Sequence, residues 1–205
     1  METQNSKPQY LNIVVKTHQI AVFFRLIESG FRLKFKGGLS IRELFCNQLG
    51  VSEDYYDERV QTIFLDSKPV DNDETTRVYD GARIALAAAM PGLVGATFRK
   101  GGRYASFRST ISHSETGNSG VKGDGEIVLK LFNMVAKELG PAFLQKGIII
   151  EGKRFQDLML RNLEGLKAAC NSIHLNDAAI DITRLKEMEW EDREVFLQVR
   201  SEEES

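Results

Sequence analysis

The sequence predicts an α+β protein made of two similar halves, each a small mixed sheet packed on one main helix. Apolar, β-branched runs typical of strands alternate with segments of helical spacing, and short words recur in the same order on both sides of a Ser/Gly-rich stretch. The predicted organisation is a first domain over residues 1–95, a basic hairpin and flexible linker over 96–124, and a second domain over 125–205.

Composition is that of a globular protein. The 205 residues are 42% hydrophobic and 27% charged with a net charge of -2, so no bulk attraction to nucleic acid is expected. Residues 1–112 carry +3 and residues 113–205 carry -5. The N-terminus lacks the apolar core of a signal peptide, and Pro91 and Gly92 interrupt the longest apolar run, so we expect a cytoplasmic protein without a membrane partner.

Cysteine and histidine give no sign of a metal or a disulfide. Cys46 and Cys170 lie far apart in helical-looking segments, and His18, His113 and His174 have no companion ligand at metal-binding spacing. We expect both cysteines to be small core residues, and we expect no metal and no cofactor.

The first half begins with two strands and a capped helix. "LNIVVK" (11–16) is a strand signal, a short helical piece follows, and "FRLKF" (31–35) alternates as a half-buried strand does. Ser40 and Glu43 have the spacing of a capping box, and the helix they start runs at helical spacing to Gly50.

Two more strands complete this half. "VQTIFLDSKPV" (60–70) reads as a strand that enters a polar turn, and "ARIALAAAM" (82–90) reads as a strand after the Asp80-Gly81 turn. The predicted order is strand, strand, helix, strand, strand.

Four short sequence segments of the first half recur in the second half. The pairs are "NIVVK" (12–16) with "EIVLK" (126–130), "GGLSIREL" (37–44) with "EGKRFQDL" (151–158), "TIFLDSKPVD" (62–71) with "SIHLNDAAID" (172–181), and "GARIAL" (81–86) with "DREVFL" (192–197). Chance sharing of apolar words is the alternative, but the common order favours duplication. Arg154 replaces the capping Ser, so the second helix must begin differently.

The stretch "ATFRKGGRYASF" (96–107) separates the two halves. We interpret it as a β-hairpin in which Gly101 and Gly102 form a two-residue turn and Arg99 faces Tyr104. A processed diglycine tail is the alternative reading.

This stretch is rich in basic and aromatic side chains and has no acid between 97 and 108. Its candidate partner-binding residues are Phe98, Arg99, Lys100, Arg103, Tyr104, Phe107 and Arg108. They could contact an acidic protein surface, the acidic second half of the chain or nucleic acid. The slightly negative net charge favours a protein or internal contact.

Residues 11–92 and 125–200 resemble the ubiquitin-like β-grasp superfamily, in two tandem copies. "FFRLIESGFRLKFKGGLSIRELF", "TIFLDSKPVDNDETTRVYDGARIAL" and "IVLKLFNMVAKELG" carry this resemblance, and are similar to the small sulfur carriers represented by the small subunit of molybdopterin synthase and its thiamine-pathway relative. The resemblance implies a carrier whose terminal Gly-Gly carboxylate is adenylated by a partner enzyme and converted to a thiocarboxylate.

The chain departs from that pattern at the reactive end. Gly101-Gly102 is followed by Arg103 and the second half, and the second copy ends in "VFLQVRSEEES" without glycine. With no Ser/His/Asp constellation or nucleotide-binding loop in the sequence, we expect no enzyme activity.

These observations favour a protein-interaction module, tied through the resemblance to sulfur transfer or to molybdenum or tungsten cofactor metabolism. An adenylating enzyme or another cofactor-pathway enzyme is the implied partner. The alternative is a sulfur-carrier precursor activated by cleavage after Gly102, and the third is nucleic-acid binding through the basic hairpin.

Overall fold

The computed structural model describes residues 8–104, 108 and 123–202, which fall into two compact units. Unit 1 comprises Met1–Phe31 and Lys137–Ser205, and unit 2 comprises Arg32–Ala136. The chain therefore leaves unit 1 and returns to it. These bounds differ from those of the predicted domains.

The described part of the chain contains strands and helices in mixed order, which confirms the α+β class. The strands are β1 (Gln9–Lys16), β2 (Phe31–Phe35), β3 (Thr62–Leu65), β4 (Lys68–Pro69), β5 (Arg83–Ala87), β6 (Gly125–Phe132), β7 (Ile148–Glu151), β8 (Cys170–Leu175), β9 (Ala178–Ala179) and β10 (Glu194–Glu202). The helices are α1 (Phe24–Ser29), α2 (Ile41–Glu43), α3 (Glu53–Arg59), α4 (Gly92–Phe98), α5 (Asn133–Lys146), α6 (Gly152–Ala169) and α7 (Ile182–Glu187). A 3₁₀ turn (Ile20–Phe23) precedes α1, and a π-helical turn (Leu44–Gln48) continues α2. None of these helices has the length and apolar character needed to cross a lipid bilayer.

Unit 1 has the strand order β7-β10-β1-β8-β9. β1 runs parallel to β10 and antiparallel to β8, so the sheet is mixed. The alternation in "LNIVV" places Leu11, Ile13 and Val15 in the core, and α6 adds Phe155, whose ring lies 5.1 Å from that of the fully buried Trp190.

Unit 2 has the strand order β4-β3-β5-β6-β2, with β2 belonging to it from Arg32 onward. β5 runs parallel to β6 and antiparallel to β3. The predicted capping box is confirmed: the Ser40 hydroxyl accepts from the Glu43 N–H at 3.1 Å, and the Glu43 carboxylate accepts from the Ser40 N–H at 2.7 Å. This second hydrogen bond is the main reason why the pKa of Glu43 is lowered.

The two halves of the chain exchange their first strands. β1 is the first strand of the first half, yet it pairs with β8 and β10 of the second half. β6 is the first strand of the second half, yet it pairs with β5 of the first half. This exchange is the reason why the compact units do not follow the predicted boundaries.

Each unit also contains a tight hairpin with the same backbone geometry. The central turn residues, 66–67 in β3-β4 and 176–177 in β8-β9, have φ values of 47° and 68° and of 48° and 69°. Such paired positive φ angles are typical of a type I′ turn, which Asp and Asn accept better than most residues. Val70 and Ile180 then return hydrogen bonds to β3 and β8 at 2.9 and 3.0 Å. The duplication stays a prediction, and these aligned turns agree with it.

The strand exchange makes a direct prediction about cleavage between the halves. We insert a specific protease site between Gly117 and Asn118 and cleave the purified chain. The two pieces should co-elute in native size-exclusion chromatography because β5 still pairs with β6, and β1 with β8 and β10. They should separate in 6 M guanidinium chloride, which serves as the control. Separation under native conditions would contradict the exchanged pairing.

Candidate functional site

The segment around the diglycine forms a helix and a turn, so the predicted hairpin is wrong. Ala96–Phe98 are the last residues of α4, where the prediction placed a strand. A turn is present, but it is shifted by one residue from the predicted one: the Gly102 N–H donates to the Arg99 carbonyl at 3.0 Å, so Lys100 and Gly101, which has a φ of 60°, are its central residues.

A close backbone approach within α4 explains this difference. A Cβ atom built on Gly95 would lie 2.0 Å from the Met90 carbonyl oxygen, so this contact requires glycine. Thr97 adds a hydrogen bond from its hydroxyl to the Leu93 carbonyl at 2.8 Å. The small residues of "GLVGATF" thus fit a helix that lies close to the preceding loop, a requirement that strand periodicity does not reveal.

Arg108 is a buried anchor, although the sequence predicted an accessible contact residue. Its side chain is 1% exposed and makes a two-pronged ion pair with Asp71 at 2.6 and 2.9 Å. Its Nε donates to the Thr97 carbonyl at 2.6 Å, and an Nη donates to the Arg99 carbonyl at 3.3 Å. Arg108 therefore fixes the backbone at the end of α4.

Lys100 is also committed to internal contacts. Its ammonium lies 2.9 Å from the buried carboxylate of Asp73 and 4.9 Å from the centre of the Tyr56 ring. The backbone N–H of Lys100 donates to the Gln61 carbonyl at 2.7 Å. Asp73 and Asp71, which pair with Lys100 and Arg108, lie in the first half of the chain. These contacts are therefore not the expected ones with the acidic second half.

The other predicted contact residues divide into two groups. Phe98 is half-buried, with its ring 5.4 Å from that of Phe64, and Phe107 lies outside the described residues. Arg99 and Arg103 are exposed, and their guanidinium groups have no hydrogen bond or ion pair to any described residue. Tyr104 lies beside them and is 38% exposed. We call Arg99, Arg103 and Tyr104 the basic rim.

The basic rim borders a cavity of about 630 Å³ in unit 2. Residues 57–62, at the end of α3 and the start of β3, form one side of it. Ala89 and Met90, part of α4 and the turn at 99–104 form the other side. Both glycines of the diglycine line this cavity.

One carboxylate of the cavity wall is already neutralised. Asp57 makes a two-pronged ion pair with Arg42 at 2.6 and 2.8 Å, and the hydrogen bond from Arg42 lowers the pKa of Asp57. Arg42 also lies 5.5 Å from the centre of the Tyr56 ring. Burial, together with the nearby Asp73 carboxylate, raises the pKa of Tyr56. Among the described residues that line the cavity, the unpaired charge is therefore that of Arg99 and Arg103.

The buried hydroxyl of Thr62, in the cavity wall, lacks a partner among the described residues. A buried hydroxyl without a hydrogen bond costs about 1–3 kcal/mol, so this group reduces the stability of unit 2.

The thiols and the possible metal ligands do not form a second site. Cys46 and Cys170 are half-buried, less buried than the core position predicted for them. Burial raises the pKa of both thiols, to about 11 for Cys170, which makes them poor nucleophiles near neutral pH. Within residues 8–104, 108 and 123–202, no three His, Cys, Asp or Glu side chains converge as metal ligands would.

Removing the anchor of the turn should destabilise unit 2. Asp71→Asn leaves the buried guanidinium of Arg108 without its counter-charge, so we expect the free energy of unfolding to fall by roughly 2–3 kcal/mol. Urea denaturation measures the change. Asp192→Asn, at an exposed site, should change it by less than about 0.5 kcal/mol. Equal effects of the two substitutions would show that the buried pair is not an anchor.

Removing the unpartnered hydroxyl of Thr62 should stabilise the protein, in contrast to the loss of the Asp71 charge. Thr62→Val keeps the shape of the side chain and should stabilise the protein by about 1 kcal/mol. Thr97→Val is the matched contrast, because it removes a hydroxyl that donates a hydrogen bond, and it should destabilise. Thermal unfolding compares the two variants. A lower melting temperature for Thr62→Val would contradict the prediction.

Comparison with known proteins adds no family name. No protein-family model, no curated protein and no solved structure matches this chain.

Proposed function

We propose that this chain is a non-catalytic protein-binding module and that the basic rim of unit 2 is its contact site for an acidic partner. One observation carries the proposal: among the described residues, Arg99 and Arg103 line a cavity without an ion-pair partner, whereas the neighbouring cations Lys100 and Arg108 are paired. An uncompensated pair of cations attracts carboxylates of a partner.

The chemistry of the rim suits protein recognition. A guanidinium group binds a carboxylate through two parallel hydrogen bonds, and Arg and Tyr are enriched among residues that dominate binding energy at interfaces. Arg108 and Lys100 hold the backbone below the rim in place. Less ordering is then needed on binding, which favours affinity.

The resemblance to β-grasp proteins suggests the kind of partner. We propose that the two halves are related β-grasp units and that the partner is an adenylating enzyme or another enzyme of sulfur transfer or of molybdenum or tungsten cofactor metabolism. The aligned hairpins at 66–67 and 176–177 support a common origin of the halves.

The second candidate is a sulfur-carrier precursor cleaved after Gly102. It is favoured by the exposed position of Gly101 in the turn. The pairing of β5 with β6 argues against it, because the released first half would still hold a strand of the second half. Intact-mass measurement on protein from its native cells tests it: a fragment that ends at Gly102 as a thiocarboxylate would favour the precursor.

Nucleic-acid binding ranks third, because Lys100 and Arg108 form ion pairs with Asp73 and Asp71 and are not available to phosphate groups. A rim with two free guanidinium groups would neutralise few phosphates, so a steep dependence of affinity on salt concentration is not expected.

Binding of an acidic peptide by the full chain tests the proposed function. We measure fluorescence anisotropy of a labelled peptide with a central Glu-Ser-Glu sequence in 50 mM salt. The R99Q/R103Q variant should bind about fivefold more weakly, since two exposed ion pairs contribute about 1 kcal/mol together. R184Q/R200Q removes the same charge from two exposed sites of unit 1 and should bind within twofold of the wild type.

Equal losses in the two double variants would mean that the peptide responds to overall charge, and the rim would not be the site. A labelled single-stranded oligonucleotide that binds more tightly than the peptide would favour the third candidate.

A further inference from the structure

We propose that the cavity below the basic rim receives an apolar side chain of the partner, so that the segment bound there has an acidic-apolar-acidic sequence. This inference rests on the proposed function, because it assigns the acidic residues to Arg99 and Arg103. The inference adds that the cavity selects the partner residue that lies between the two acidic residues.

The size of the cavity supports insertion of a side chain. Its volume of about 630 Å³ falls within the 300–1,000 Å³ typical of pockets that enclose ligands.

The wall of the cavity combines apolar groups with polar groups that are mostly engaged. Ala89, Met90 and Ala96 contribute apolar surface to it. The Gln61 side-chain amide donates to the Glu58 carbonyl at 2.8 Å, which leaves this amide partly satisfied within the protein. An apolar side chain can therefore pack against these groups, while Arg99 and Arg103 of the same wall receive the flanking carboxylates.

The charges around the cavity also favour an apolar residue between two acidic ones. The two uncompensated guanidinium groups belong to the turn at the edge of the cavity, and the carboxylate of Asp57 in the wall is neutralised by Arg42. Carboxylates of the partner are thus attracted to the turn, and the side chain between them faces the apolar part of the wall.

The two sides of the cavity are tied together in the free protein. The Lys100 N–H donates to the Gln61 carbonyl at 2.7 Å, so the turn is fastened to the start of β3. The Lys100 ammonium reaches Asp73, and Arg108 holds the carbonyls of Thr97 and Arg99. The pocket is formed before binding, so selection between side chains follows their fit and their burial.

Three labelled peptides that differ at the centre test the inference with the full chain. Their central sequences are Glu-Leu-Glu, Glu-Ser-Glu and Gln-Leu-Gln. In the wild type, Glu-Leu-Glu should bind about tenfold more tightly than Glu-Ser-Glu, because burying a leucine side chain is favourable by 1.5–3 kcal/mol and part of this is offset by ordering. It should also bind about fivefold more tightly than Gln-Leu-Gln.

A variant that fills part of the cavity without changing the charge separates the effect of the cavity from the effect of the basic rim. Ala89 lines the cavity and is exposed, so A89F should fold as the wild type does, which circular dichroism checks. The tenfold preference for leucine over serine should disappear in A89F, and the fivefold preference for Glu over Gln should remain. A178F places the same bulk at an exposed site of unit 1 and should retain both preferences.

The outcomes separate this inference from the proposed function. If the wild type binds Glu-Leu-Glu and Glu-Ser-Glu equally and R99Q/R103Q weakens both, the pocket is overturned and the basic rim stands. If A89F and A178F retain the leucine preference alike, the pocket is again overturned. If R99Q/R103Q changes the affinity of no peptide, both proposals fail.

Discussion

A guanidinium group that is removed from water is stable only where its charge and its donors are both satisfied, and Arg108 meets this condition within unit 2. The Asp71 carboxylate supplies the charge, and the carbonyls of Thr97 and Arg99 accept the other donors. The end of α4 and the turn that follows it are thereby held on the loop that contains Asp71. The cavity and its rim depend on this arrangement, since residues 99–104 form one side of the cavity. Arg108 thus belongs to the support of the site, whereas Arg99 and Arg103 belong to its surface.

The same segment shows why residues of one chemical type have different roles. Four cations occur between 97 and 108, and the charge pattern does not distinguish them. Two of them meet carboxylates of the same unit at 2.6 to 2.9 Å and are withdrawn from solvent contact to differing degrees. The other two have no such neighbour among the described residues. The distribution of acids in unit 2, rather than the basic sequence itself, determines which cations a partner can meet.

Local features of the fold could be predicted from the sequence, and long-range features could not. The alternation in "FRLKF" and the capping pair Ser40 and Glu43 depend on neighbouring residues, and both are found as expected. The hairpin at the diglycine was wrong because α4 depends on a backbone contact of Gly95 that no periodicity encodes. The exchange of β1 and β6 was missed because apolar strands carry little information about which of several similar partners they join.

For the candidate site, the sequence pointed to the segment 98–108 but did not distinguish the roles of its residues. A basic, aromatic stretch with two glycines indicates a surface feature, and residues 99–104 of it line the cavity while Arg108 supports it. Asp57, Thr62 and Ala89 gave no sequence signal, because their place in the wall arises from α3, β3 and the loop after β5 meeting in space. Burial of Arg108 likewise depends on Asp71, which lies 37 positions earlier in the chain.

The pairing of β1 with β10 also has a consequence for the order of folding. Gln9 is aligned with Val195 in this parallel pair, so strands from opposite ends of the described chain must meet before unit 1 is complete. During synthesis, the apolar face of β1, with Leu11, Ile13 and Val15, is made early, and β1 finds its partners β8 and β10 only after residues 170–202 have been made. Unit 2 needs no residue beyond 136 and can form first. The strand β1 therefore reaches its native pairing late, and until then its apolar face is open to premature association.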